Sequence, residues 1–163
     1  MSLFPEIDEN KTRDRVRELL NDYMPMKRRV SFNDSVYDLT QAIQYSDMPK
    51  SPSSRNGTEH KTAMMFRGIT KQHQNYHRKL AEIDYAIDQL PDIYQQILKK
   101  SYCVKNTCTI NELAASITGY RINAYGQKEE FHYSIKNIER LKAQALIAFA
   151  EAYKRGELIS LKN

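Results

Sequence analysis

Thr109-Ile110-Asn111-Glu112-Leu113-Ala114, then Gly119, then Ser134-Ile135-Lys136-Asn137-Ile138-Glu139-Arg140-Leu141, is the part of this 163-residue chain that decides its fold. Thr109 and Glu112 stand at the spacing of a capping box, so a helix is expected to begin at Ile110. Its apolar residues, Ile110, Leu113, Ala114 and Ile117, fall at i, i+3, i+4 and i+7. Gly119 is then expected to end the helix in the left-handed conformation. Ser134 reads as the N-cap of a longer helix, with Ile138, Leu141, Ala145, Phe149 and Ala152 on one buried stripe. That stripe leaves Lys136, Asn137, Glu139 and Arg140 facing outward in the first turns.

Two helices joined by a turn, the second polar and basic at its start, describe a helix-turn-helix that reads DNA. The same spacing also fits a plain helical hairpin. On the DNA reading, Lys136, Asn137 and Arg140 face the major groove, and Ser134 lies near a phosphate. Arginine pairs with guanine and asparagine with adenine, each worth about 1–3 kcal/mol against a wrong base. Thr109 and Asn111 either lie against a backbone phosphate or serve the helix cap alone.

Upstream, Ile87-Asp88-Gln89-Leu90-Pro91-Asp92-Ile93-Tyr94-Gln95-Gln96-Ile97-Leu98 resembles the opening of region four of bacterial sigma factors. Thr109 to Ala114 is similar to the helix that follows there, and Ser134 to Leu146 to the recognition helix. A closer resemblance joins Ser2-Leu3-Phe4-Pro5-Glu6-Ile7-Asp8, Tyr102-Cys103, and Ala148-Phe149-Ala150-Glu151-Ala152-Tyr153 with Gly156. These look like the ArpU family, phage-encoded transcriptional regulators of late, packaging and lysis genes in Gram-positive hosts and prophages. The resemblance covers most of the chain and is weak between Ser31 and Met64. It implies double-stranded DNA as partner, with host RNA polymerase and a second copy of the chain as further candidates.

The chain departs from that pattern at residues 121–132, an insertion of about a dozen residues in a turn that is normally only a few long. Tyr120, Ile122 and Phe131 around Tyr125-Gly126 suit a small hairpin. Alternatively, Lys128 to Tyr133 begins the last helix early. As a hairpin, the segment would act as a wing, with Arg121 and Lys128 on phosphates and its aromatic residues folded against the motif. As a spacer, it would carry no DNA contact.

The rest of the chain reads as helical, so an all-α fold is expected, with the hairpin as its one exception. Asp8 is a candidate N-cap for a helix to about Tyr23, with Val16, Leu19, Leu20 and Tyr23 inward and Pro25 ending it. Lys27 to Arg29 form a short basic cluster, expected as a solvated helix flank and not as a second DNA contact. Asn33 to Ser46 is expected as a further helix. Asp47 to Gly57 is dominated by proline, serine and glycine, so residues 47–61 are expected as a flexible linker. A long helix should run from about His60 to Gln89 along Met64, Met65, Phe66, Ile69, Tyr76, Leu80, Ile83 and Ile87. The expected organisation is therefore an N-terminal helical region (1–46), the linker (47–61), and a long helix leading into the DNA-binding domain (62–163).

The formal charge of +5 favours a polyanionic partner. Residues 1–62 carry ten basic and ten acidic side chains, whereas residues 63–163 carry fifteen and ten, so the excess lies C-terminally. Cys103 and Cys108 bracket too short a loop for an expected disulfide, and with His132 they make no tetrahedral set. No metal or other cofactor is expected. His73 and His77 lie four apart without the glutamate of a metalloprotease helix. No phosphate-binding glycine loop or nucleophile with an identifiable base is present, so catalysis is not expected. No apolar run reaches membrane-spanning length and the N-terminus lacks a signal-peptide pattern, which points to the cytoplasm of a bacterial host and to no membrane partner. Three functions fit: a late-gene transcriptional regulator, a DNA-packaging or assembly protein, and a sigma-like polymerase adapter.

Overall fold

The computed structural model describes residues 6–32 and 57–162, with side chains placed outside 57–70. The expected helix at 33–46, most of the linker, and Met64, Met65, Phe66 and Ile69 lie outside the described residues.

Helix α1 is Glu9–Asn21, and Asp8 caps it by accepting from Lys11 N at 3.1 Å. Val16 and Leu20 are fully buried, as is Thr12. Helix α1 stops at Asn21, before the expected end at Tyr23. Pro25 does not end it: it lies in the first turn of a second helix, α2, residues 23–32. A proline fits there because the first N–H groups of a helix have no intrahelical acceptor. Helix α3, Gly57–Asp88, begins three residues before the expected start. Helix α4, Asp92–Tyr102, follows the Leu90-Pro91 turn. Gln95 Nε2 donates to the Leu90 carbonyl at 2.9 Å across that turn.

The capping box at the next helix is present. Thr109 N donates to Glu112 Oε2 at 2.7 Å, and Glu112 N to Thr109 Oγ1 at 3.4 Å. This helix, α5, spans Ile110–Ser116. Gly119 is not its cap. The helix ends at Ile117 in extended conformation, and Lys100 Nζ donates to the Ser116 carbonyl at 3.3 Å. Gly119 belongs to strand β1, Thr118–Ile122, which pairs antiparallel with β2, Lys128–His132. A Cβ on Gly119 would lie 2.6 Å from Tyr133 Oη and 2.7 Å from the Phe131 ring. The glycine therefore serves close packing, not chain reversal. Between the strands, Asn123 Oδ1 accepts from Tyr125 N and Gln127 N, and Gly126 has φ +76°.

Of the two readings of the insertion, the hairpin is the one observed, so the fold is mostly helical with a small two-stranded sheet. Helix α6 begins after it, at Ile135, and runs to Ala152. Lys154, Arg155 and Gly156 then take positive φ and reverse the chain.

Two compact units are formed. One takes α1 and everything from Glu82 onward; the other is Pro25–Ala81. In the first unit, Ile97 of α4, Leu113, Ala114 and Ile117 of α5 and its C-cap, and Ile138 of α6 make one core cluster. Helix α1 packs on α6. Backbone bonds tie the two ends of the chain: Asp8 N donates to Ser160 O at 2.7 Å and Lys162 N to Glu6 O at 2.8 Å. Ser160 N donates to the buried Thr12 Oγ1 at 3.0 Å. In the second unit, Arg29 donates to Tyr76 Oη at 2.8 Å, and Met26, Val30 and Leu80 are buried. Lys27, Arg28 and Arg29 are exposed on α2, as expected of a helix flank.

Candidate nucleic-acid interface

Ser134 accepts from Asn137 N at 3.3 Å and so fixes the start of α6. Its first turns bring Ser134, Lys136, Asn137, Glu139 and Arg140 around one shallow cleft. Lys136, Glu139 and Arg140 are exposed there, while Asn137 is half-buried. Arg140 Nη2 donates to Asn137 Oδ1 at 2.9 Å. The arginine expected to read guanine and the asparagine expected to read adenine are therefore bonded to each other.

Burial along α6 follows the expected stripe with one shift. Ile138, Ala145 and Phe149 are buried, and Leu141 and Ala152 are half-buried. Leu146 and Ala150 are buried beside them, because α1 covers a second flank of the helix.

Thr109 and Asn111 lie exposed at the start of α5. Thr109 is engaged in the capping box, and its backbone N–H and hydroxyl hold the Glu112 carboxyl below its usual range. Any phosphate contact by Thr109 has to coexist with that box.

Arg121 and Lys128 stand on the hairpin in different settings. Arg121 Nε donates to Glu129 across the strands at 2.9 Å, which raises the arginine and lowers the glutamate from their usual values. Lys128 Nζ lies 5.7 Å above the Tyr120 ring. With Glu129 and Glu130 beside them, the two cations are balanced within the hairpin. Phe131 and Tyr133 pack together at the hairpin base, ring centroids 4.9 Å apart. Tyr120, Ile122 and Tyr125 do not fold inward: they are 65, 75 and 89% exposed.

Sequence reasoning missed two features. One is a groove that Arg13 of α1 lines with Arg140 and Tyr94. The other is a cluster of Arg17, Tyr102 and Lys142. These residues come from distant parts of the chain, and no local spacing links them. Among the described residues, no group of three His, Cys, Asp or Glu could hold a metal ion, and Cys103 and Cys108 are not joined in a disulfide. No described helix is long and apolar enough to cross a membrane.

These elements define a predominantly helical protein whose longest C-terminal helix opens in a capped, exposed, partly basic turn. The chain belongs to the ArpU family. It is 32% identical over 162 residues to a protein of Enterococcus hirae named as an autolysin regulatory protein, ArpU, an alignment that covers 99% of this chain and 100% of that one. No protein-family model matches the chain. No solved structure matches it either.

Proposed function

We propose that this chain is a sequence-specific DNA-binding transcriptional regulator of the ArpU type, acting on phage or prophage late genes. In this reading α5 and α6 work as the two helices of a sigma region four-like helix-turn-helix, with the hairpin in place of a short turn. The start of α6 carries the reading. Lys136 and Arg140 are exposed on one capped turn, Arg140 is bonded to Asn137, and the helix is fixed to α4 and α5 by a common core. Arginine and asparagine offer the forked donor and acceptor sets that recognise base edges, and Ser134 suits a flanking phosphate. The regulatory role draws support from the name of the Enterococcus hirae relative.

Double-stranded DNA is the proposed partner, and a homodimer would supply the second half-site that a single module lacks. A sigma-like adapter that docks on RNA polymerase is the second reading. The exposed Tyr120, Ile122 and Tyr125 on the hairpin favour it, because apolar surface suits a protein partner better than phosphate. Footprinting of the purified chain on host and prophage promoter DNA, with and without polymerase, tests both. Protection of a defined site by the chain alone is expected. Protection seen only with polymerase would select the adapter, and none in either case would sink the DNA reading.

A further inference from the structure

Four helices meet at a cleft of about 250 Å³ whose lining includes Arg17 of α1, Tyr102 of α4, Ile110 of α5, and Glu139 and Lys142 of α6. Lys142 is half-buried, with Nζ 5.0 Å above the Tyr102 ring. Arg17 lines the cleft beside the same tyrosine. Two cations thus converge on one phenol.

Asp14 and Glu139 offset the two cations formally, but neither is paired with Lys142 among the described residues. Arg17 holds Asp14 at 2.6 Å, the arginine half-exposed and the aspartate exposed. Glu139 lines the cleft but makes no ion pair with Lys142 among the described residues. Burial lowers the Lys142 ammonium below its ordinary range, and the Arg17 charge lowers it further. A partly desolvated ammonium beside a guanidinium is unfavourable until an anion joins them. The anion most at hand to a surface of this kind is one that arginine and lysine bind together, a tetrahedral phosphate.

We infer that the cleft between Arg17 and Lys142 holds a phosphate of the DNA backbone. This rests on the DNA-binding reading and extends it to a helix outside the α5–α6 motif. Ile110, at the start of α5, borders the cleft, so the contact would lie beside the motif and position it without reading sequence. The contact also accounts for α1, since the helix that the chain ends tie onto α6 delivers one of the two cations.

The test uses the full chain. Binding of a random-sequence duplex is followed by fluorescence anisotropy between 50 and 200 mM KCl, for the wild type, Arg17→Gln, Lys142→Met and the double variant. The double change should lower the slope of log K against log salt by about 0.9, one phosphate equivalent, and each single change by part of that. Affinity should fall equally for operator and random DNA. In parallel, the side-chain amine of Lys142 in the wild type is followed by NMR during titration with the duplex and, separately, with inorganic phosphate. The duplex should shift that signal and raise the Lys142 pKa towards its ordinary value.

An unchanged slope in a folded double variant overturns the contact. A Lys142 signal unmoved by bound duplex does so even where the variants fail to fold. A response to inorganic phosphate with an unchanged DNA slope makes the cleft a small-anion site and overturns the backbone assignment. Absence of any duplex binding removes the DNA reading and this contact together, whereas binding with an undiminished slope removes this contact alone.

Discussion

The Arg140–Asn137 hydrogen bond changes what each residue is expected to do. Asn137 spends its carboxamide oxygen on the guanidinium, so it acts first as a support that orients Arg140. Arg140→Ala should abolish operator preference and leave the fold intact. Asn137→Ala should then weaken preference at the same base pair, by about 1–3 kcal/mol, because an unsupported arginine loses its alignment. Selection from randomised duplexes with both variants checks this; loss of preference at a different base pair would show that Asn137 reads a base of its own. At this scale the sequence was legible wherever partners lie three or four residues apart. Asp8, Thr109 and Ser134 cap the helices expected of them, since an N-cap bond closes within one turn. Gly119 was misread because its reason is remote: the rings of Phe131 and Tyr133 occupy the space a side chain would need.

At the scale of elements, α5 and the hairpin allow separate tests. Thr109→Ala breaks the capping box and should cost about 1 kcal/mol, read from urea unfolding. Duplex affinity, compared once both proteins are folded, then tells capping from phosphate contact: a loss beyond the unfolded fraction would assign Thr109 to the DNA. On the hairpin, Arg121→Ala should leave the salt slope of binding unchanged, because Glu129 already holds that charge. Lys128→Ala should lower it by about one phosphate equivalent if the hairpin touches DNA. No change in either variant would make the hairpin a spacer or a protein contact. The hairpin was visible in outline from Tyr120, Ile122, Phe131 and the Tyr125-Gly126 turn. Its outward-facing tyrosines were not, since alternation along two short strands does not say which face meets the core.

For the whole molecule, the union of both chain ends was illegible. Thr12 looks like an ordinary helix residue, and Ser160 lies in a tail without periodicity, yet they share a buried hydrogen bond across 148 positions. Acid should loosen this unit. Lys162 holds Glu6 below 4.5, the Lys11 backbone N–H holds Asp8 below 3.8, the Thr109 backbone N–H holds Glu112 below 4.5, and Arg121 holds Glu129 below 4.5. A carboxylate lowered on folding stabilises the native state fully above its unfolded value, and that contribution is lost as pH falls through the folded one. The melting temperature should therefore be flat from pH 7 to about 5.5 and fall below about 4.5. Glu112→Gln should show a shallower fall, and an identical pH profile would remove that cap from the account.

The join between Thr12 and Ser160 also sets a clock. Translation delivers roughly 5–20 residues each second, so Thr12 leaves the ribosome about 7–30 s before Ser160 does. Until α6 and then residue 160 emerge, α1 lacks first its packing face and then the buried hydrogen bond of Thr12. The unit would thus be completed in a late step, only once residue 160 has left the ribosome.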